Sequence, residues 1–300
     1  MSACHHPNVN AAAATGAASA RQAPKYERAD GAARIDFRLG PQGRTALADL
    51  YQRAPCRVLF PDTEVGEPAQ AVLLTTSGGL TGGDRTHVEV CVREGARATL
   101  TTQAAEKLYR AQLGDEDTRI HVDMRVGPNA WAEWLAQETI LFDGARMRRS
   151  FHADVDPSGR LLAVETAVFG RTAMGETFAS GLMHDSWRIR SGRRLIWADA
   201  QRLEDDITVA RRRPFGFGTA VACSTLVYVG VDAARLLETT RDQLRQSDLP
   251  AAATSFDGLL LVRVLSEDAA QARSVVMNLI AHLRSSAAGL PARVPRVWHC

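Results

Sequence analysis

From about residue 31 onward, apolar and polar side chains alternate one by one in short runs. His87-Val88-Glu89-Val90-Cys91-Val92-Arg93 places three valines on one face, and Glu94-Gly95-Ala96 then turns the chain into Arg97–Thr102. Arg119 to Val126 alternates without a fault until Gly127-Pro128-Asn129 stops it. Successive side chains of a strand point to opposite faces, so a period of two predicts half-buried strands. Trp187 to Arg190, Ser191-Gly192 and Arg193 to Trp197 predict a hairpin turning at Ser191-Gly192. Such runs recur at roughly ten-residue spacing, which argues for an extended antiparallel architecture rather than βαβ units. The expectation is a mainly β protein, with an extended, layered, antiparallel or mixed β body. No strict repeat is visible, so a regular solenoid is not predicted.

The pattern changes near residue 219. Thr219 to Gly230 reads as a buried strand, and Asp232 as the cap of a helix running to about Gln246 with Leu236, Leu237 and Leu244 inward. Phe256 to Leu265 is a further strand. Ser266-Glu267-Asp268 opens a second helix, with Ser266 as its cap. Ala272, Val275, Val276, Leu279, Ile280 and Leu283 share one face of it, and Gly289 and Pro291 end it. Two α-helices therefore fall in the C-terminal part, in a strand–helix–strand–helix unit over about 219–287. Residues 30–300 read as one β-rich domain, and the Ala-rich stretch 1–29 as a disordered tail.

Composition narrows the class. The formal net charge is +2, from 36 basic and 34 acidic residues, which supplies no attraction for nucleic acid or a charged membrane. The five cysteines (Cys4, Cys56, Cys91, Cys223, Cys300) form no CxxC pair, which argues for a reducing, cytoplasmic setting. The AAAATGAASA stretch lacks the leucine-rich core of a signal peptide, and no apolar run is long enough to span a membrane.

Three segments carry unusual residues. Thr75 to Asp84 (TTSGGLTGGD) holds two Gly-Gly pairs, either a pair of tight turns or a loop presenting Asp84 and backbone groups to a ligand. It matches no phosphate-loop pattern. Thr101 to Arg110 (TTQAAEKLYR) carries Lys107, the sole lysine besides Lys25, read as a salt-bridged lysine or a desolvated nucleophile. Trp131 to Arg146 sets Glu133, Glu138 and Asp143 among apolar residues, and Glu165 and Glu176 follow in similar company. Carboxylates in apolar strands are costly unless paired. They are ion-pair partners of Arg146, Arg148, Arg149 and Arg171, ligands along a metal path, or an acid/base pair. The last option would make a β-rich hydrolase using Glu138 and Asp143. A structural binding module with no metal role is the other alternative. The histidines are scattered, so His87 and His121 read as surface groups. His5-His6 with Cys4, and His299 with Cys300, are terminal candidates for weak metal binding.

At these segments the chain resembles the urease accessory protein UreD (UreH) family. The matching pieces are SGGLTGGD at 77–84, TTQAAEKLYR at 101–110, EWLAQETILFDGAR at 133–146, VFGRTAMGETFASG at 168–181 and the ending PRVWHC at 295–300. Within them Gly78, Gly79, Gly82, Gly83, Lys107, Tyr109 and Arg171 stand as structural positions of the motifs. The resemblance implies a mainly β scaffold that is not an enzyme. It implies binding to the urease apoprotein and to UreF, and through UreF to the GTPase UreG, so that Ni(II) reaches the urease active site. No cofactor is held stably, and nickel is in transit. Oxygen ligands hold nickel less tightly than Cys or His clusters, which suits transit. The residues expected to line or gate such a path are Asp84, Glu138, Asp143, Glu165 and Glu176, with Thr102 and Ser77 as neutral oxygens.

Overall fold

The structure, a computed structural model, describes residues 27–299. Nearly all of the tail over 1–29, with Cys4, His5, His6 and also Cys300, lies outside the described residues. In chain order the strands are β1 (Asp30–Leu39), β2 (Thr45–Arg53), β3 (Cys56–Leu59), β4 (Ala69–Thr75), β5 (Arg85–Val92) and β6 (Arg97–Thr102). Then come β7 (Glu106–Leu108), β8 (Thr118–Val126), β9 (Trp131–Leu135), β10 (Thr139–Leu141), β11 (Arg146–Val155) and β12 (Arg160–Phe169). The last five are β13 (Ser180–Ser191), β14 (Arg194–Asp206), β15 (Ala222–Val229), β16 (Ala251–Phe256) and β17 (Leu259–Ser266). Helices α1 (Ile207–Arg211), α2 (Ala233–Leu244) and α3 (Ala269–Ala288) complete the list.

The strands form two sheets. One runs β14-β13-β11-β8-β5-β1-β2, the other β16-β17-β15-β12-β9-β6-β4-β3, with β10 beside β12 and β7 beside β10. The protein is mainly β, as the alternation predicts, and its sheets are mixed rather than wholly antiparallel as the spacing suggested. The interior pairs β1–β5, β5–β8, β8–β11, β4–β6, β6–β9 and β9–β12 are parallel, and antiparallel pairs lie toward the edges. The physical reason is that β5, β8 and β11 each cross at a short corner into the other sheet, as β6, β9 and β12. Strands from successive turns then run the same way. The corners stack: Gly127 N donates to Val92 O at 2.8 Å, and Asp156 N to Val126 O at 2.8 Å. Val92, Val126 and Val155 sit at equivalent places, but the intervals between them are unequal, which hides the repeat from a search for a strict period.

Alternation decides what goes between the sheets. Ile35, Phe37, Val90, Leu100, Phe151 and Trp187 fill that layer, and Phe151 meets Trp187 at 4.7 Å between ring centroids. The second sheet is covered outside by α2 and α3, so β12 and β15 are buried on both faces and read as continuous apolar runs. The outer face of the first sheet keeps its polar residues half-exposed.

Four local expectations are corrected. The hairpin turns at Gly192-Arg193, because Ser191 still pairs with Arg194. Ser266 ends β17, and the cap of α3 is Asp268, whose carboxylate accepts from Ala270 N at 2.7 Å. Asp232 does precede α2, but its carboxylate accepts from the Tyr228 hydroxyl at 2.6 Å instead of capping the helix. The additional strand β16 makes the C-terminal unit strand–helix–hairpin–helix.

Candidate functional site

The four internal segments singled out in the sequence converge on one end of the two-sheet body, and backbone hydrogen bonds knit them together. Leu80 N donates to Lys107 O, and Tyr109 N to Leu80 O, both at 2.8 Å. Glu106 N donates to Glu138 O at 2.8 Å, and Phe142 N to Leu108 O at 3.0 Å. Gly170 N donates to Leu141 O at 2.8 Å. Small residues are needed where the loops touch. A Cβ on Gly79, at φ +141°, would stand 2.5 Å from the Tyr109 ring and 2.8 Å from Lys107 O. Tyr109 donates its hydroxyl to Gly78 O at 2.9 Å and packs edge-on against Phe142, with Arg171 over the other ring at 4.1 Å.

The C-terminal segment joins the same end. Trp298 is buried and donates its indole N–H to the Thr101 hydroxyl at 3.0 Å. Arg273 on α3 donates to Trp298 O at 2.6 Å and to Gln137 Oε1 at 2.9 Å, and Gln137 Nε2 donates to the carbonyls of Thr102 and Gln103.

Between the sheets at this end lies a cavity of about 250 Å³. Exposed Gln103, Ala104 and Lys107 stand at its solvent side, buried Arg149 and Glu165 at its inner side. Its carboxylates are Glu106 and Glu165. Glu106 accepts from the Thr75 hydroxyl at 3.1 Å, and burial pushes its carboxyl above the usual range. Glu165 accepts from Trp134 Nε1 at 2.8 Å and pairs with Arg149, which also grips Asp185 at 2.7 Å. Burial works against the Arg149 charge, but Asp185 and Glu165 together hold it firmly cationic. One guanidinium serves two carboxylates. Burial pushes Glu165 up, and with Asp185 repelling it the pull of Arg149 does not bring it back. Cys56 also lines the cavity, and burial pushes its thiol up to about 11, so at neutral pH it offers no thiolate.

The expected path residues divide. Thr102 and Glu165 line the cavity, with Gly78 and Lys107. Asp84, Glu138, Asp143, Glu176 and Ser77 do not. Asp84 is buried and accepts from Ala29 N and Thr81 N at 2.8 Å each, closing the loop that carries Gly82 and Gly83. Ser77 donates to Gly79 O at 2.9 Å. Glu138 pairs with Arg273 at 2.7 Å. Asp143 pairs with Arg110 and accepts from Ser180 N at 2.9 Å. Glu176 pairs with Arg171 and accepts from Asp143 N at 2.8 Å. Glu138 and Asp143 thus occupy separate ion pairs with no shared partner. Burial disfavours the Asp143 charge, but Ser180, Ala179 and Arg110 outweigh it and hold the carboxyl below its usual range, which is wrong for a general acid. Lys107 makes no ion pair among the described residues; its backbone forms the ladder.

Sequence reasoning missed Glu106, Gln137 and Asp185, and it singled out Glu133 without its partner Arg284, which Glu67 also joins. Arg284 had a signal, since it falls on the apolar stripe of α3 beside Leu283. Glu106 had none, because its burial beside the Thr75 hydroxyl, with no ion pair among the described residues, is set by the fold.

The resemblance to known proteins runs over nearly the whole described chain. A family model described as UreD urease accessory protein matches residues 29–299. A Magnetococcus marinus protein named Urease accessory protein UreD is 40% identical over 273 residues, covering 89% of this chain and 93% of the relative. One of that name from Agrobacterium fabrum is 37% identical over 286 residues, covering 95% and 96%. Urease accessory protein UreD 1 of Methylobacterium radiotolerans is 41% identical over 282 residues, covering 92% and 94%. The chain belongs to the UreD urease accessory protein family.

Proposed function

We propose that this protein acts in urease maturation as a non-catalytic scaffold in the cytoplasm. It binds the urease apoprotein and UreF, and through UreF the GTPase UreG, while Ni(II) passes as cargo toward the urease active site. The observation that carries this reading is the cavity between the sheets, whose charged and neutral oxygens come from Glu106, Glu165, Thr75, Thr102 and Thr139. Oxygen donors bind nickel weakly enough to release it. A carboxylate lifted by burial, such as Glu106, exchanges a proton for a cation readily.

On this reading Glu106, Thr102 and Glu165 face the cation. Asp84, Glu138, Asp143, Glu176 and Ser77 shape the rim by holding loops and arginines. The test is co-expression with the urease operon, measuring complex recovery and urease activity together. Glu106→Gln is expected to assemble normally and activate urease poorly. Glu138→Ala and Glu176→Ala are expected to weaken assembly along with activation, because they release Arg273 and Arg171. Full activation by Glu106→Gln in an intact complex would remove the cavity from the route.

A further inference from the structure

A different feature lies on the outer face of the first sheet. β5, β8 and β11 are parallel and in register, so His87 stands opposite His121, and Asp123 opposite His152. Neighbouring strands lie about 4.8 Å apart, and the alternation puts these four side chains on one face. Asp123 is their centre. Its Oδ2 is 3.0 Å from His87 Nε2 and 2.8 Å from His121 Nε2, and its Oδ1 is 3.5 Å from His152 Nδ1. The His121 ring lies 4.9 Å from the rings of both His87 and His152.

We propose that His87, His121 and Asp123, with His152 as the fourth ligand, form a site for a divalent transition-metal ion of the zinc and nickel class. The ligand atoms of His87, His121 and Asp123 all lie within 4.8 Å of one another. Tetrahedral coordination at about 2.0–2.1 Å per bond needs ligand atoms about 3.3 Å apart, so small side-chain rotations close the set. Imidazole with one carboxylate is the donor set such ions favour. The support expected behind a ligating imidazole is present as well: His121 Nδ1 is hydrogen-bonded to the Ser150 hydroxyl. With an ion held between Nε2 and the Asp123 carboxylate, the proton sits on Nδ1 and is donated to the Ser150 hydroxyl. The four side chains are between 33% and 44% exposed, so an ion reaches them without opening the fold. Arg188 stands opposite His152 on β13, which centres the site toward β5 and β8. The site is separate from the cavity, and its test does not depend on urease activation.

The full chain is titrated with Zn(II) in calorimetry and with Co(II) by visible absorption, against a variant set. Because His5-His6 with Cys4 is a second candidate for metal binding in the sequence, His5→Ala/His6→Ala serves as the control. His87→Ala/His121→Ala is expected to lose one equivalent of metal and the tetrahedral Co(II) bands, while the control keeps both. Ser150→Ala is expected to bind about tenfold more weakly. Melting of each variant in metal-free buffer reports folding; if the double variant does not fold, Asp123→Asn and Ser150→Ala carry the comparison. Unchanged stoichiometry and affinity in the variants of the sheet, or loss in the control alone, would overturn the proposal.

Discussion

At the scale of single residues, the interior of this protein is governed by arginine. Arg149 sits at an inward position of β11, between Met147 and Phe151, and is 2% exposed. It is tolerated because Glu165, Asp185 and the Thr139 hydroxyl take up its N–H groups. Removing one member of a buried charge set leaves the others unpaired, which costs about 3–5 kcal/mol. Arg149→Met is therefore expected to lower unfolding free energy by about that amount in urea titrations. Pairing it with Glu165→Gln should return part of the loss. Glu106 behaves in the opposite sense. Its folded-state value is raised by burial, so the stability it contributes is complete below the ordinary carboxylate range and is lost as pH rises through the folded value. Glu106→Gln is expected to melt above the parent at pH 7, with the gap closing near the model-peptide value of about 4.3. An equal gap at both ends of the pH range would contradict this. Arg149 and Glu165 were legible as charges on apolar faces. Arg149 also stood among the four arginines offered to the strand acids, but which acid it takes was not legible, because β11 and β12 lie in different sheets and face each other across the layer between them.

Elements came through the sequence unevenly. Long strands with clean alternation, such as β5 and β8, were readable to within a residue or two. A period of two is a property of each strand alone. β7 and β10 span three residues each, too short to carry a period, yet they form the ladder that joins the motif segments at the cavity. Helix starts depended on one hydrogen bond apiece. Ser266 and Asp268 both suit a cap, and the choice follows from β17, which keeps Ser266 in its pairing with Ala222. Asp268→Ala is expected to cost about 1 kcal/mol, read by thermal melting. No change there, with a comparable loss for Ser266→Ala, would restore the sequence-based cap.

For the whole molecule, the C-terminal segment acts as a closure. Trp298 is 3% exposed and bridges Thr101 on β6 to Arg273 on α3, where the guanidinium lies 4.9 Å over the indole ring. Trp298→Ala removes a large buried side chain and two anchoring contacts, an expected loss of about 3–5 kcal/mol. Limited proteolysis should show the segment beyond Leu290 cut first. A variant as stable and resistant as the parent would show that the closure contributes nothing. The same long-range assembly sets the site. The five family segments are spread over most of the chain and meet because parallel turns of strand stack in register.

The chain's own pattern determined which side chains face inward, where the two late helices lie, and that a strand-built body with acids in its apolar faces results. Only the tertiary structure decided which strand stands beside which. That choice gave Glu165 its arginine, left Glu106 without one, and set His87, His121 and His152 in a row around Asp123. The reason is that side-chain alternation is written in each strand's local backbone geometry. Neighbourhood between strands depends on the packing of the entire core, and no local period encodes it.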